Sequence, residues 1–262
     1  MLRAPRPPGD GRAGEPGASG GTLGAMPAGF HPPVEEYLET IYGLLEEGAT
    51  VIQARLVERL GHSPQAVSEM VHRLADDGYL RRSGRGLELT EAGRARAETV
   101  VRRHRLAERF LVEVVGLPWH LAHVEAGRWE HVISDEVEQR FAEILGHPTT
   151  CPHGNPIPGA ASDASPQVAL SDLRPGERLR LARITEKVET DHDALVYLSE
   201  HGLIPGRAAT VQSRAPDGTL ILELEPALVV RGPRGASVPE TVAPETVALG
   251  AAMCRELYVN AL

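Results

Sequence analysis

Across residues 34–47 the apolar side chains Val34, Tyr37, Leu38, Ile41, Tyr42 and Leu45 recur at helical spacing and form one stripe, predicting an amphipathic helix. A short second helix follows from Gln53 to Leu60 and stops at Gly61. Ser63 then offers a capping hydroxyl, and Pro64 fills the first helical position, where its missing N–H costs nothing. This third helix runs to about Asp77 with Val67, Met70, Val71 and Leu74 turned inward. Gln65, Ser68, Glu69, His72 and Arg73 are left outside. After Gly78, residues 79–82 and 87–89 read as two strands around Ser83-Gly84-Arg85-Gly86.

Three more helices are expected: one from Thr90 to about Val115, one over residues 119–133 and one over 136–145, the last two meeting at the capping pair Ser134-Asp135. Beyond a low-complexity stretch, Pro156 to Pro166, the pattern changes to short strands, with turns at Pro175-Gly176, Pro205-Gly206 and Asp217-Gly218. Helix, tight turn, helix and a two-stranded wing is the order of a winged helix-turn-helix. An all-helical core with an incidental hairpin is the plainer alternative.

The net charge of −9 has the wrong sign for a surface coated in nucleic acid, but local balance matters more. Between Tyr79 and Arg109 stand nine arginines against four glutamates. Residues 1–29 are Gly, Pro, Ala and Arg with little to bury and read as a disordered extension. No apolar run approaches the roughly 18–20 residues of a membrane span, and the N-terminus lacks the order of a signal peptide. The cytoplasm, with no membrane partner, is the expected location. Two cysteines, Cys151 and Cys254, make no disulfide framework.

The candidate chemistry lies mid-chain. His104 and Glu108 are four apart on the long helix, so they share a face. His123, Glu130 and His131, at i, i+7 and i+8, share a face of the next helix, with His120 nearby. Imidazole and carboxylate together suit Mn, Fe(II), Zn or Co. A solvated helical charge pattern explains any single pair as well. Cys151 and His153 form a Cys-x-His pair on a loop, a weak metal signal alone. No HExxH, Walker loop, GxGxxG after a strand or GxSxG is present, so the common catalytic routes lack support and a metal-dependent hydrolase is the remote alternative.

The segments ARLVERLGHSPQAVSEMVHRLADDGYL, RHRLAERFL, GRWEHVISDEVE and GNPIPG resemble the diphtheria-toxin-repressor family of iron- and manganese-dependent transcriptional regulators over residues 31–158. A looser resemblance continues from about Val168, where LSDLRPGERLRLARI, LSEHGLIPGRAATV and VALGAA are similar to a small FeoA-like β-barrel. The resemblance implies a mainly α protein with a winged helix-turn-helix (30–101), a helical dimerisation and metal domain (102–153) and the barrel (168–262), to which composition adds the extension (1–29) and a linker (154–167). It implies a primary metal site of Glu36, Glu130 and His131, with Glu39 and His104 joining as in manganese-type members. An ancillary site follows from His104, Glu108 and His123 with Glu189 and His192 from the barrel. Cys151 and His153 match ligands of another manganese-type branch and compete for Glu108. Glycine at Gly127, where relatives carry Cys or Glu, departs from the pattern.

For DNA, Ser63, Gln65 and Ser68 lie where base edges are reached, while Arg73 and the wing arginines Arg81, Arg82 and Arg85 suit phosphates. The expectation is a homodimeric repressor on a palindromic operator, not an enzyme, activated by Mn(II) in preference to Fe(II) at two sites per subunit, and controlling metal-uptake genes. A relative that binds DNA without sensing metal is the alternative.

Overall fold

The computed structural model describes residues 33–161, 165–226 and 245–262; the expected extension over 1–29 lies outside them. Helix α1 (Pro33–Glu46) buries Tyr37, Leu38 and Ile41 of the anticipated stripe together with Leu44, which was not in it, while Val34, Tyr42 and Leu45 are half-buried. Helix α2 (Gln53–Leu60) ends where Gly61 turns left-handed at φ 66° and returns its N–H to the Val57 carbonyl. The Ser63 hydroxyl accepts from the Ala66 N–H at 3.2 Å and starts α3 (Pro64–Asp76), whose buried residues are Val67, Val71 and Leu74. Strands β1 (Leu80–Ser83) and β2 (Gly86–Leu89) pair antiparallel as the wing, and Leu80, Leu87 and Leu89 close one core with the three helices.

Thr90 caps α4 (Glu91–Phe110), which continues into one π-helical turn (Leu111–Val115) before Gly116. Gly93 lies against the wing so closely that a Cβ would sit 2.0 Å from the Tyr79 carbonyl oxygen. A 3₁₀ turn (Trp119–Leu121) leads into α5 (Ala122–Trp129), and Ser134 caps α6 (Asp135–Ile144). The single helix expected over 119–133 is therefore shorter. Val132 and Ile133 both donate to the Trp129 carbonyl, a tightened turn that frees the chain for the Ser134 cap.

The remaining elements are β3 (Val168–Ala169), β4 (Arg178–Ile184), α7 (Glu186–Glu189), α8 (His192–Glu200), β5 (Ala208–Arg214), β6 (Leu220–Leu224), β7 (Thr246–Leu249), α9 (Ala251–Glu256) and β8 (Leu257–Ala261). The strands form one antiparallel sheet in the order β3-β8-β4-β5-β6-β7, bulged between Leu181 and Arg183 and between Val211 and Ser213. Bulges bend strands, and here the sheet wraps a core of Leu179, Leu181, Val211, Leu222, Val247 and Val259. Among the described residues β3 and β7 share no ladder, so the small FeoA-like barrel is an open one.

The stretch anticipated as a free linker is not free at its start. Ile157 is 2% exposed, Thr150 bridges Pro156, and Asn155 Nδ2 donates to the Ile184 carbonyl at 2.9 Å. Arg105 and Arg102 of α4 donate to the carbonyls of Pro156 and Pro158. Proline-rich composition hid a packed strap, whose start is held by the buried Ile157 and the Asn155 amide.

Candidate metal centre

Position and charge together build this centre. Glu108 is fully buried on α4, one turn after His104. Its Oε1 lies 3.1 Å from His104 Nε2, 3.2 Å from His123 Nδ1 on α5, and 3.1 Å from His153 Nδ1 on the strap. Glu189, ending α7, brings its Oε2 to 3.1 Å from His123 Nδ1 and 3.5 Å from His153 Nδ1. Each of two sets, His104 with Glu108, His123 and Glu189, and Glu108 with Cys151 and His153, offers ligand atoms within 4.8 Å of one another. The two sets anticipated as competitors thus converge on one carboxylate.

A third set, Glu39, His104 and Glu130, adjoins them. His104 Nδ1 contacts Glu130 Oε2 and lies 3.8 Å from Glu39 Oε1. His131 joins from outside, with Nε2 3.0 Å from Glu130 Oε1 and Nδ1 2.7 Å from Glu35 Oε2. The one-face reading of His123, Glu130 and His131 does not hold. Because α5 ends at Trp129, Glu130 and His131 sit in the following turn and face α1, while His123 faces Glu108 and Glu189.

Two anticipated ligands stand apart. Glu36 is in none of the three sets; its neighbour Glu35 takes the contact with His131 and also accepts from Arg96 at 2.7 Å. His192 is the exposed first residue of α8, after the Asp191 cap, and its ring lies 6.0 Å from that of His120 rather than in the cluster. Glu35 and Glu186 were not anticipated. Glu186, on the barrel side, lines the same small cavity as Glu39, His104, His123 and Glu189, and a Cβ on Gly43 of α1 would collide with it at 2.2 Å. Its sequence signal was its place in TEKVE, one turn before Glu189.

The electrostatics are those of buried acids held by protons. Burial would discharge His104, but Glu108 and Glu130 outweigh it and raise the imidazole well above its ordinary value. His123, likewise buried, is pushed up to about 10 by hydrogen bonds to Glu108 and Glu189. Burial raises Glu39, and the charge of Glu130 adds to it. Glu108 is driven well below the carboxylate range against its burial by His153 and His104, and Glu130 falls to about 2, chiefly through His104. Glu186, desolvated, rises to about 7. Burial also raises the Cys151 thiol, with Glu108 and Glu189 reinforcing it.

The donors fit a divalent cation. Glu108 Oε2 and His153 Nε2 are buried without a hydrogen-bond partner among the described residues, and the set of imidazole and carboxylate groups is the borderline-to-hard mixture such ions take. Gly127 contributes no donor, yet a Cβ there would meet nothing within 4 Å.

On the reading head, Ser63 is occupied as the α3 cap, Gln65 donates to Glu69 at 3.0 Å, and Ser68 is half-buried. Arg73 pairs loosely with Asp77 at 3.8 Å. In the wing Arg81 is paired to Glu88 at 2.7 Å, Arg82 approaches His72 at 3.5 Å, and Arg85 is exposed at the turn.

Comparison with known proteins gives the family. Residues 30–86 match the family description "Iron dependent repressor, N-terminal DNA binding domain", 90–159 match "Iron dependent repressor, metal binding and dimerisation domain", and 168–234 match "FeoA domain". The iron-dependent repressor IdeR of Mycobacterium tuberculosis is 44% identical over 222 residues, covering 80% of this chain and 93% of that one. The diphtheria toxin repressor of Corynebacterium efficiens is 45% identical over 179 residues, covering 64% and 78%. Among solved structures, a manganese-dependent transcriptional repressor in complex with manganese superposes with a TM-score of 0.73 at 30% identity, covering 87% of this chain and all of the other. No helix among the described residues is long and apolar enough to cross a membrane. The chain belongs to the diphtheria-toxin-repressor family of metal-dependent transcriptional repressors, DNA-binding regulators rather than enzymes.

Proposed function

We propose that this repressor is activated by Mn(II) in preference to Fe(II), acts as a homodimer on a palindromic operator, and controls metal-ion uptake genes. The observation that carries the reading is the convergence of His104, Glu108, His123 and Glu189 from two helices and the barrel, with Glu39 and Glu130 beside His104. Two sites per subunit are assigned. The first is Glu39, His104 and Glu130 with His131 next to it; the second is Glu108, His123, His153, Cys151 and Glu189. A bound cation would supply positive charge that cancels the buried carboxylates. The chain's own residues then tie α1, α4 and the barrel into one arrangement, fixing where α3 stands in each half of the dimer.

Manganese is favoured because oxygen and imidazole dominate the donors, with carboxylates rather than thioether or thiol nearest His104. The later metals bind such sites more tightly in general, so the choice in the cell depends on supply as well as affinity. Base reading falls to Gln65 and Ser68 and phosphate binding to Arg73, Arg82 and Arg85, with Ser63 seating the helix and Arg81 held partly by Glu88. The domains fall as 30–101, 102–153 and 168–262, joined by the strap.

A binding titration on duplexes selected by the protein from a random pool, at fixed salt with Mn(II), Fe(II) or chelator, tests this. Tight binding in Mn(II) that falls at least tenfold in chelator is expected. Equal binding in chelator removes metal sensing and leaves a regulator that reads DNA alone.

A further inference from the structure

The junction between α2 and α3 carries an interaction that neither the metal centre nor the anticipated DNA residues use. His62 stands between Gly61, which ends α2, and Ser63, which caps α3. Its Nδ1 lies 3.0 Å from the hydroxyl of Tyr37, and the two rings are 5.7 Å apart, tilted by 35°. Tyr37 is 2% exposed, whereas His62 is exposed. The Tyr37 hydroxyl pairs with the His62 nitrogen in a part-buried contact. Where the hydroxyl donates to Nδ1, a neutral ring carries its proton on Nε2 and can donate from there.

Two features give that donor a use. It precedes the first turn of the reading helix, where Pro64 has no N–H and the Ala66 N–H is already taken by Ser63. And Tyr37 belongs to the same turns of α1 as Glu35, which holds His131, and Glu39, which approaches His104. One helix thus faces the metal centre with its carboxylates and the reading head with its phenol.

We infer that His62 is a further DNA-contacting residue, a neutral imidazole donating from Nε2 to an operator phosphate, and that Tyr37 is the positioning residue that aims it. This rests on the operator-binding reading above but not on metal sensing. The phosphate contact would be oriented by α1, so it would be made well only when α1 is seated.

The test uses the full chain and a duplex selected by the wild type from a random pool. Fluorescence anisotropy would be followed in Mn(II) and in chelator across a range of NaCl for wild type, Tyr37→Phe, His62→Ala, His62→Gln and the double variant Tyr37→Phe/His62→Ala. Loss of one such bond corresponds to roughly five- to tenfold weaker binding per half-site. His62→Ala and Tyr37→Phe should each show that loss, and the double variant no more than His62→Ala alone. His62→Gln, whose carbonyl can accept from Tyr37 while its amide donates outward, should bind within about twofold of wild type. Because a neutral donor displaces no counterion, the slope of log affinity against log salt should not change. Bound Mn(II), counted by electron paramagnetic resonance, should be the same in every variant.

His62→Ala binding like wild type, multiplicative losses in the double variant, or a salt slope shallower by one per subunit would each overturn the inference. The His62 variants change an exposed side chain, so they decide the matter even if Tyr37→Phe unfolds. Wild-type binding that persists in chelator would remove metal sensing alone, since the comparison among variants still stands.

Discussion

Glu108 shows how much one side chain can be asked to do. Three imidazole nitrogens crowd one of its oxygens inside a fully buried pocket. Replacing it by glutamine keeps the shape but removes the charge that offsets them. Mn(II) binding measured by calorimetry should then weaken at least tenfold for Glu108→Gln, and by less for His192→Ala, since His192 lies outside the cluster. Gly127 is the converse case, a place with room and no donor. Gly127→Glu should fold normally and change Mn(II) affinity or stoichiometry; an unchanged isotherm would show that its neighbours already complete the centre. Most of this residue-level picture was open to reading: His104 and Glu108 by spacing, Glu189 and Glu130 by resemblance. Glu35 was not, because adjacent glutamates on α1 carry no signal for which one meets His131 until the neighbouring element is in place, and Glu186 was missed although it stands one turn before Glu189.

At the scale of elements, caps and turns were legible wherever a local device sets the boundary. Ser63, Thr90 and Ser134 each cap a helix as anticipated, and Gly176, Gly206 and Gly218 all adopt φ near 90° in the expected turns. The end of α5 and the strap were not legible, since both are decided by distant partners. At Gly154, φ 90°, a Cβ would sit 2.0 Å from the Ala182 carbonyl oxygen of β4. Gly154→Ala should therefore cost about 1–3 kcal/mol in chemical denaturation and weaken metal binding with it, because His153 and Asn155 flank the displaced residue. The wing offers a contrast. Arg85→Ala should flatten the salt dependence of operator binding by about one per subunit, whereas Arg81→Ala, whose charge is already shared with Glu88, should flatten it less.

For the whole molecule the buried charges predict a pH response that metal should abolish. Without metal, the native state binds extra protons, on His123 up to about 10 and on Glu186 up to about 7. A state that binds more protons than the unfolded chain loses stability as pH rises. Thermal unfolding in chelator should accordingly shift to lower temperature from His123's ordinary value near 6.5 up to about 10, with Glu186 adding a contribution that is complete by about 7. Glu130, lowered to about 2, acts oppositely and costs stability only below about 4.5. With Mn(II) bound, the cation takes the place of those protons, so the alkaline decline should be absent and uptake of the ion should release protons into the buffer. A decline of equal size in both conditions would contradict this.

One consequence of His104, whose Nδ1 faces one proposed site and whose Nε2 faces Glu108 in the other, reaches beyond any single pocket. Neighbours that borrow the same anchor are not independent tenants: filling one rearranges what the other is offered. Loading curves for this repressor should then resist description by two unrelated constants, and occupancy would be graded by how the two ions negotiate rather than by the abundance of either alone.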